Sequence, residues 1–151
     1  DTGARPPPMS AFEVVLADID ATRTYLSMHP FELVYPRLEG RRNYLTAKQL
    51  EKTRNGRRVV VGGMSIVKQR PPTAGGVLFL TLEDHTGFIN LVVSPTVMRR
   101  CRIPLLEEPF LLVDGVVEKA EGVINLRALQ VTGIHLVDAD QRKQIQKRDF
   151  R

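Results

Sequence analysis

The sequence is poor in most of what a catalytic, secreted or membrane-bound chain requires. It holds a single cysteine, Cys101, among 151 residues, which excludes an internal disulfide and fits a reducing compartment. No apolar run approaches the roughly 18–20 residues needed to cross a bilayer. The opening stretch from Asp1 to Pro8 is polar and carries no secretory h-region. A cytoplasmic protein is therefore expected, with no membrane partner. An initiator methionine is also missing, and the expectation is a piece of a longer chain.

Chemistry is equally sparse. His29, His85 and His135 stand at no metal-ligand spacing with one another or with Cys101. Glu83 and Asp84 are adjacent carboxylates, but neighbours on a strand point to opposite faces and cannot converge on one ion. Neither a phosphate-cradling glycine loop nor a nucleophile triad is legible. No catalytic residue, metal, cofactor or small-molecule substrate is expected.

Charge is present in modest excess, at +5 with a pI near 9.7, which favours an anionic partner. It is thinly spread. The densest stretch, from Arg41 to Arg58, holds seven basic residues against Glu51 alone.

The organising feature is Gly76–Val93, GVLFLTLEDHTGFINLVV. Two β-branched and aromatic runs flank a turn in which Asp84 can bond its own backbone and Gly87 accepts a positive φ. Leu78, Leu80 and Leu82 share one face. Phe79, Thr81 and Glu83 share the other, opposite a second strand exposing Phe88, Asn90 and Val92. A face that mixes aromatics with Thr and Asn is a platform on which bases can stack.

Around this hairpin, residues 1–10 predict a mobile Pro-rich tail, and 11–56 a helical extension. Ser10 with Glu13 forms a capping box ahead of Phe12, Val15, Leu16 and Ile19 at helical spacing. Pro30 ends that helix; Ser27 or His29 caps a short successor, and Thr46 caps another over 46–52. Texture turns to β at Arg57. Val59–Val67 reads as one long strand, bent at Gly62-Gly63 so that it serves two sheets. Ser94 and Pro95 open a helix that Pro104 keeps short. Strands Phe110–Val117 and Val123–Ile134 follow, then a polar tail over 138–151. Strand, strand, strand, helix, strand, strand within 57–137 predicts a mainly β chain: a five-stranded OB-fold Greek-key barrel with an N-terminal helical extension.

Two stretches carry a family resemblance. Tyr25-Leu26-Ser27-Met28-His29-Pro30 resembles a stretch just ahead of the OB domain in bacterial C-family DNA polymerase α subunits. Val67–Asp84, with its QRPPTAGGVLFLTLED run, is similar to the error-prone, damage-inducible branch of that family, as is the ending Arg148-Asp149-Phe150-Arg151. The resemblance spans roughly residues 13–151. It implies the C-terminal part of such a polymerase, without the palm and its metal-binding aspartates, the fingers or the PHP domain. Its OB module would lie near single-stranded template and contact other translesion subunits.

The candidate nucleic-acid-binding residues are Phe79, Thr81, Phe88 and Asn90 on the face, with Lys68, Arg70, Lys119 and Arg127 at its rim to neutralise phosphates. A similar hairpin occurs in anticodon-binding domains of class II aminoacyl-tRNA synthetases, where the resemblance implies base stacking at Phe79 and base reading at Asn90. Arg41, Arg42, Arg57 and Arg58 form a second possible patch. Gln146–Phe150 loosely resembles a sliding-clamp peptide. Three readings compete: a single-stranded DNA-binding module, a protein-docking OB-fold, and an RNA-binding module of synthetase type. In a contrary reading of the aromatics, Phe79 and Phe88 pack under residues 11–52 and the face is closed. Since no carboxylate cluster here can seat two metal ions, the purified chain is expected neither to extend a primer nor to cut DNA. Magnesium-dependent incorporation in a primer-extension assay would overturn that.

Overall fold

The computed structural model describes residues 12–16, 29–72 and 75–138. Six strands run as β1 (Phe12–Leu16), β2 (Arg58–Gln69), β3 (Leu78–Asp84), β4 (Gly87–Val93), β5 (Phe110–Ala120) and β6 (Val123–Asp138). Their order is β1-β6-β4-β3-β2-β5, and β5 pairs again with β6. Strands β2 to β6 thus close on themselves as the expected five-stranded barrel. Closure removes the unpaired edges that an open sheet would present.

Strand β2 serves two sheets. Arg58–Met64 pairs antiparallel with β5, while Met64–Gln69 pairs with β3, so Met64 belongs to both ladders. The glycine pair sits at that handover. A Cβ on Gly62 would lie 2.9 Å from the Phe31 ring and 3.1 Å from Leu38, and one on Gly63 would lie 3.0 Å from the Glu83 carbonyl. Side chains are excluded there because other parts of the chain already fill the space.

The barrel interior is built from the alternation read in the hairpin. Leu78, Leu80, Leu82, Ile89, Leu91 and Val93 all point inward with Val59, Val61, Leu111, Val113, Leu126 and Val131. Helices α2 (Pro95–Arg100) and α3 (Arg102–Glu107) close one end, contributing Val97, Met98, Cys101 and Leu105 to that core. Ser94 caps α2 by accepting from the Val97 amide. The expected single helix is thus two, divided at Cys101. Pro104 falls in the first turn of α3, where a missing N–H costs nothing.

A second core lies outside the barrel. Phe31, Leu33, Val34, Leu38 and Tyr44 bury themselves against Leu112 and Ile134. The segment that supplies them makes 3-10 turns at Pro30–Leu33 and Tyr35–Arg37. His29 caps the first turn, its Nδ1 accepting from the Phe31 amide at 3.0 Å. Burial, then the Asp84 carboxylate, hold the Tyr44 hydroxyl far above the usual phenol range, so it stays neutral.

Helix α1 (Ala47–Leu50) follows, shorter than the expected 46–52. A four-residue helix has no stability of its own, and it persists because its leading amides are met one by one. Thr46 and Gln49 form a reciprocal capping box. The Ala47 amide donates to Asp84 Oδ2 at 2.8 Å, and that of Lys48 to Thr86 Oγ1 at 3.1 Å. Asp84 is only 2% exposed. Its other oxygen accepts from the Thr86 and Gly87 amides and from the Thr86 hydroxyl.

The helix expected from Ser10 is not what the described residues show. Phe12–Leu16 is a strand, parallel to the end of β6 with Phe12 opposite Ile134 and Leu16 opposite Asp138. Strand β6 runs four residues past the expected Ile134 and offers a free ladder. The β-branched pair Val14-Val15 suits that ladder better than a helix. Ser10 and the polar tail beyond Asp138 lie outside the described residues, as do most of the YLSMHP stretch and the clamp-like Gln146–Phe150.

The Asp84 network makes a stability prediction. Asp84→Ala strands several partly buried amides and is expected to cost about 2–4 kcal/mol, read from the urea midpoint. Asp84→Asn, which keeps one acceptor oxygen, should cost less. Gly62→Ala, which forces Phe31 and Leu38 outward, should cost about 1–3 kcal/mol.

Candidate nucleic-acid interface

Strand register fixes what shares the outer face of the hairpin. Across the sheet, Gln69, Phe79, Val92 and Arg127 are successive partners on β2, β3, β4 and β6. The next row is Val67, Thr81 and Asn90, and Glu83 pairs with Phe88 beyond it. Four residues of strand, about 13 Å, separate the Phe79 row from the Phe88 row. Phe79 is 40% exposed and Phe88 63%. The described part of the extension packs instead on Leu112, Ile134, Val60 and Phe110, and on the hairpin tip. The face is open.

The four candidate face residues are therefore brought together. Val67, Gln69 and Val92 complete the surface, and Val92 was visible beforehand in the alternation of β4. Val67 and Gln69 were hidden because the β2–β3 register shifts between Ser65 and Val67. That bulge at Ile66 inverts the parity a regular strand would give.

Of the four candidate cations only Arg127 falls in a row with the platform, and its Nε lies 3.0 Å from Glu118. Lys68 pairs with inward-facing Leu80, and its Nζ donates to the Leu106 carbonyl on α3 at 3.3 Å. Arg70 lines a groove with Met98, Arg99, Arg102 and Leu106. Lys119 lies at the other end of the barrel, donating from Nζ to the Glu51 carbonyl at 3.0 Å. The rim charge is divided between the barrel's two ends.

The second patch is likewise divided. Arg58 forms a two-pronged pair with Asp114 at 2.9 and 3.0 Å. Arg57 lines a cavity of about 680 Å³ with Leu45, Gln49, Lys52, Thr53 and Arg54, and Arg41 and Arg42 stand exposed on a turn. His85, read as turn surface, is half-buried and packs its ring 4.3 Å from that of Tyr35. Burial and then Glu39 push the Tyr35 hydroxyl up from the usual phenol range. Glu83 and Asp84 diverge as their strand positions require. Glu83 reaches the His29 Nε2 at 3.4 Å, while Asp84 turns into the protein. Among the described residues, no group of three His, Cys, Asp or Glu side chains could hold a metal ion.

The barrel residues 59–134 match the family model of the OB-fold nucleic acid binding domain. The chain belongs to that family. Its relatives bear out the resemblance to error-prone polymerases. The error-prone DNA polymerase of Anaeromyxobacter sp. (strain K) is 42% identical over 133 residues, covering 88% of this chain and 12% of the relative. That of Methylococcus capsulatus is 43% identical over 116 residues, or 77% of this chain and 11% of the relative. That of Brucella abortus is 35% identical over 83% of this chain and 12% of the relative. The OB-fold domain and its flanks thus span about an eighth of the length of these polymerases. Among solved structures, asparaginyl-tRNA synthetase from Pyrococcus horikoshii aligns with a TM-score of 0.48 and 18% identity, over 58% of this chain and 22% of that one. Among the described residues, no helix of the OB-fold domain is long and apolar enough to cross a membrane.

An open platform and a closed one differ in what truncation does to folding. Phe88→Ala is expected to shift stability by no more than about 0.5 kcal/mol, as at an ordinary surface site. Leu80→Ala, one strand over and facing inward, should cost about 2–5 kcal/mol. Equal losses in a urea titration would show the face to be covered.

Proposed function

We propose that this OB-fold domain binds single-stranded DNA on the outer face of β3 and β4, as a non-catalytic module that positions template for an error-prone polymerase in the cytoplasm. The observation that carries the reading is the pair of exposed rings, Phe79 and Phe88, bracketing Thr81 and Asn90 on a face the described extension leaves open. Aromatic rings on a sheet accept any base by stacking, and the short polar side chains between them can meet base edges. The polymerase relatives supply the wider setting. DNA synthesis, lesion bypass and repair would be the work of a longer protein of that kind.

One observation favours a second reading. The platform is apolar and poor in free charge, since Lys68, Arg70 and Lys119 turn toward the barrel ends and Arg127 is paired. Such a surface also suits docking of a translesion partner protein. The two readings part on oligo-dT. If bases stack here, Phe79→Ala and Phe88→Ala each weaken binding by about 1–3 kcal/mol in a fluorescence titration, with no change in salt slope. Parent-like binding by both variants would reject the stacking platform, and loss of pull-down with a polymerase partner subunit would then support docking.

A further inference from the structure

We infer that a bound single strand leaves the platform past Phe79 and crosses the groove between the end of β2 and the α2–α3 pair, where Arg70, Arg99 and Arg102 hold its phosphates. This rests on the reading of the platform given above. Arg70 follows Gln69, the β2 partner of Phe79, so the groove begins where the aromatic row ends. Arg70, Arg99 and Arg102 line it together, over a floor of Met98 and half-exposed Leu106. Among the described residues, no salt bridge or hydrogen bond engages any of the three guanidinium groups. Their neighbour Arg100 makes the contrast plain, because its guanidinium is tied to the Leu129 carbonyl and to Gln130. Lys68 adds a fourth cation, fixed beside the groove by the Leu106 carbonyl.

Like charges gathered without counter-ions repel one another, and the cluster is stabilised by whatever anion neutralises it. A cavity of about 170 Å³ falls below the roughly 300–1,000 Å³ of small-molecule sites, which disfavours a free metabolite. Spaced guanidiniums on an open floor suit a chain of phosphates. The arrangement also answers the low charge of the platform. Stacking and charge neutralisation occupy adjacent surfaces, the first on the sheet and the second on its helical end.

The test uses salt titrations of the parent chain and of Arg99→Ala, Arg102→Ala and the double variant, with oligo-dT of about 12 nucleotides and of about three. For the longer strand, each substitution is expected to lower the slope of log K against log salt by roughly 0.7. For the trinucleotide, which the platform alone holds, the slope should not change. Phe88→Ala and Phe79→Ala run in parallel and separate the two failures. If either weakens binding while the arginine variants match the parent, the groove inference is overturned and the platform reading stands. If Phe88→Ala and Phe79→Ala both bind normally, the platform reading falls and this path falls with it. A third outcome, in which the arginine variants lose only binding of poly-glutamate, overturns the DNA path and assigns the groove to an acidic protein segment.

Discussion

The buried carboxylate of Asp84 is the constraint on which the arrangement of this protein depends. A charged group taken out of water is costly unless hydrogen bonds replace its hydration. Asp84 collects four: three from its own turn and one from the first amide of α1, 37 residues away in sequence. The turn bonds hold the tip in shape, and the distant one anchors the extension to it. Thr86 doubles the link by donating to Asp84 and accepting from Lys48. With α1 seated at the tip, the preceding residues are led down the β2–β5–β6 side of the barrel. There Phe31 and Leu38 find the space that Gly62 leaves. Among the described residues, Phe79 and Phe88 on the hairpin's outer face are left exposed.

That placement separates two kinds of surface on one small barrel. One side is an internal interface, where Leu112 and Ile134 are covered by Phe31 and Val34. The other keeps Phe79 and Phe88 exposed among the described residues. Exposed rings of this kind are what the proposed stacking platform requires. Cations have been sorted the same way. Arg58 and Arg127 pair with Asp114 and Glu118, while Arg70, Arg99 and Arg102 line one groove at the helical end with no ion-pair partner among the described residues. On the proposed DNA path, stacking and salt dependence would therefore reside on different residues.

Much of this was legible in the chain. Alternation in LFLTLED and FINLVV determined which residues face the barrel interior, because side chains on a strand must alternate whatever the strand packs against. The paired glycines marked the bend of β2, Ser94 and Thr46 marked helix starts, and the strand order specified a barrel with one helical insertion. The candidate face residues Phe79, Thr81, Phe88 and Asn90 followed from that alternation alone.

What the chain could not disclose depended on contacts distant in sequence. Phe12–Leu16 follows a candidate cap at Ser10 and holds part of a helical stripe, yet it is a strand because β6 extends far enough to pair with it. Lys68 and Arg70, read as rim residues, lie toward the helices, where Lys68 donates to the Leu106 carbonyl and Arg70 lines a groove with Met98 and Leu106. Local pattern decides which way a side chain points relative to its own strand. Only the closed barrel decides what stands on that side, because the neighbours arrive from elsewhere in the chain and their hydrogen bonds and buried surface outweigh local propensity.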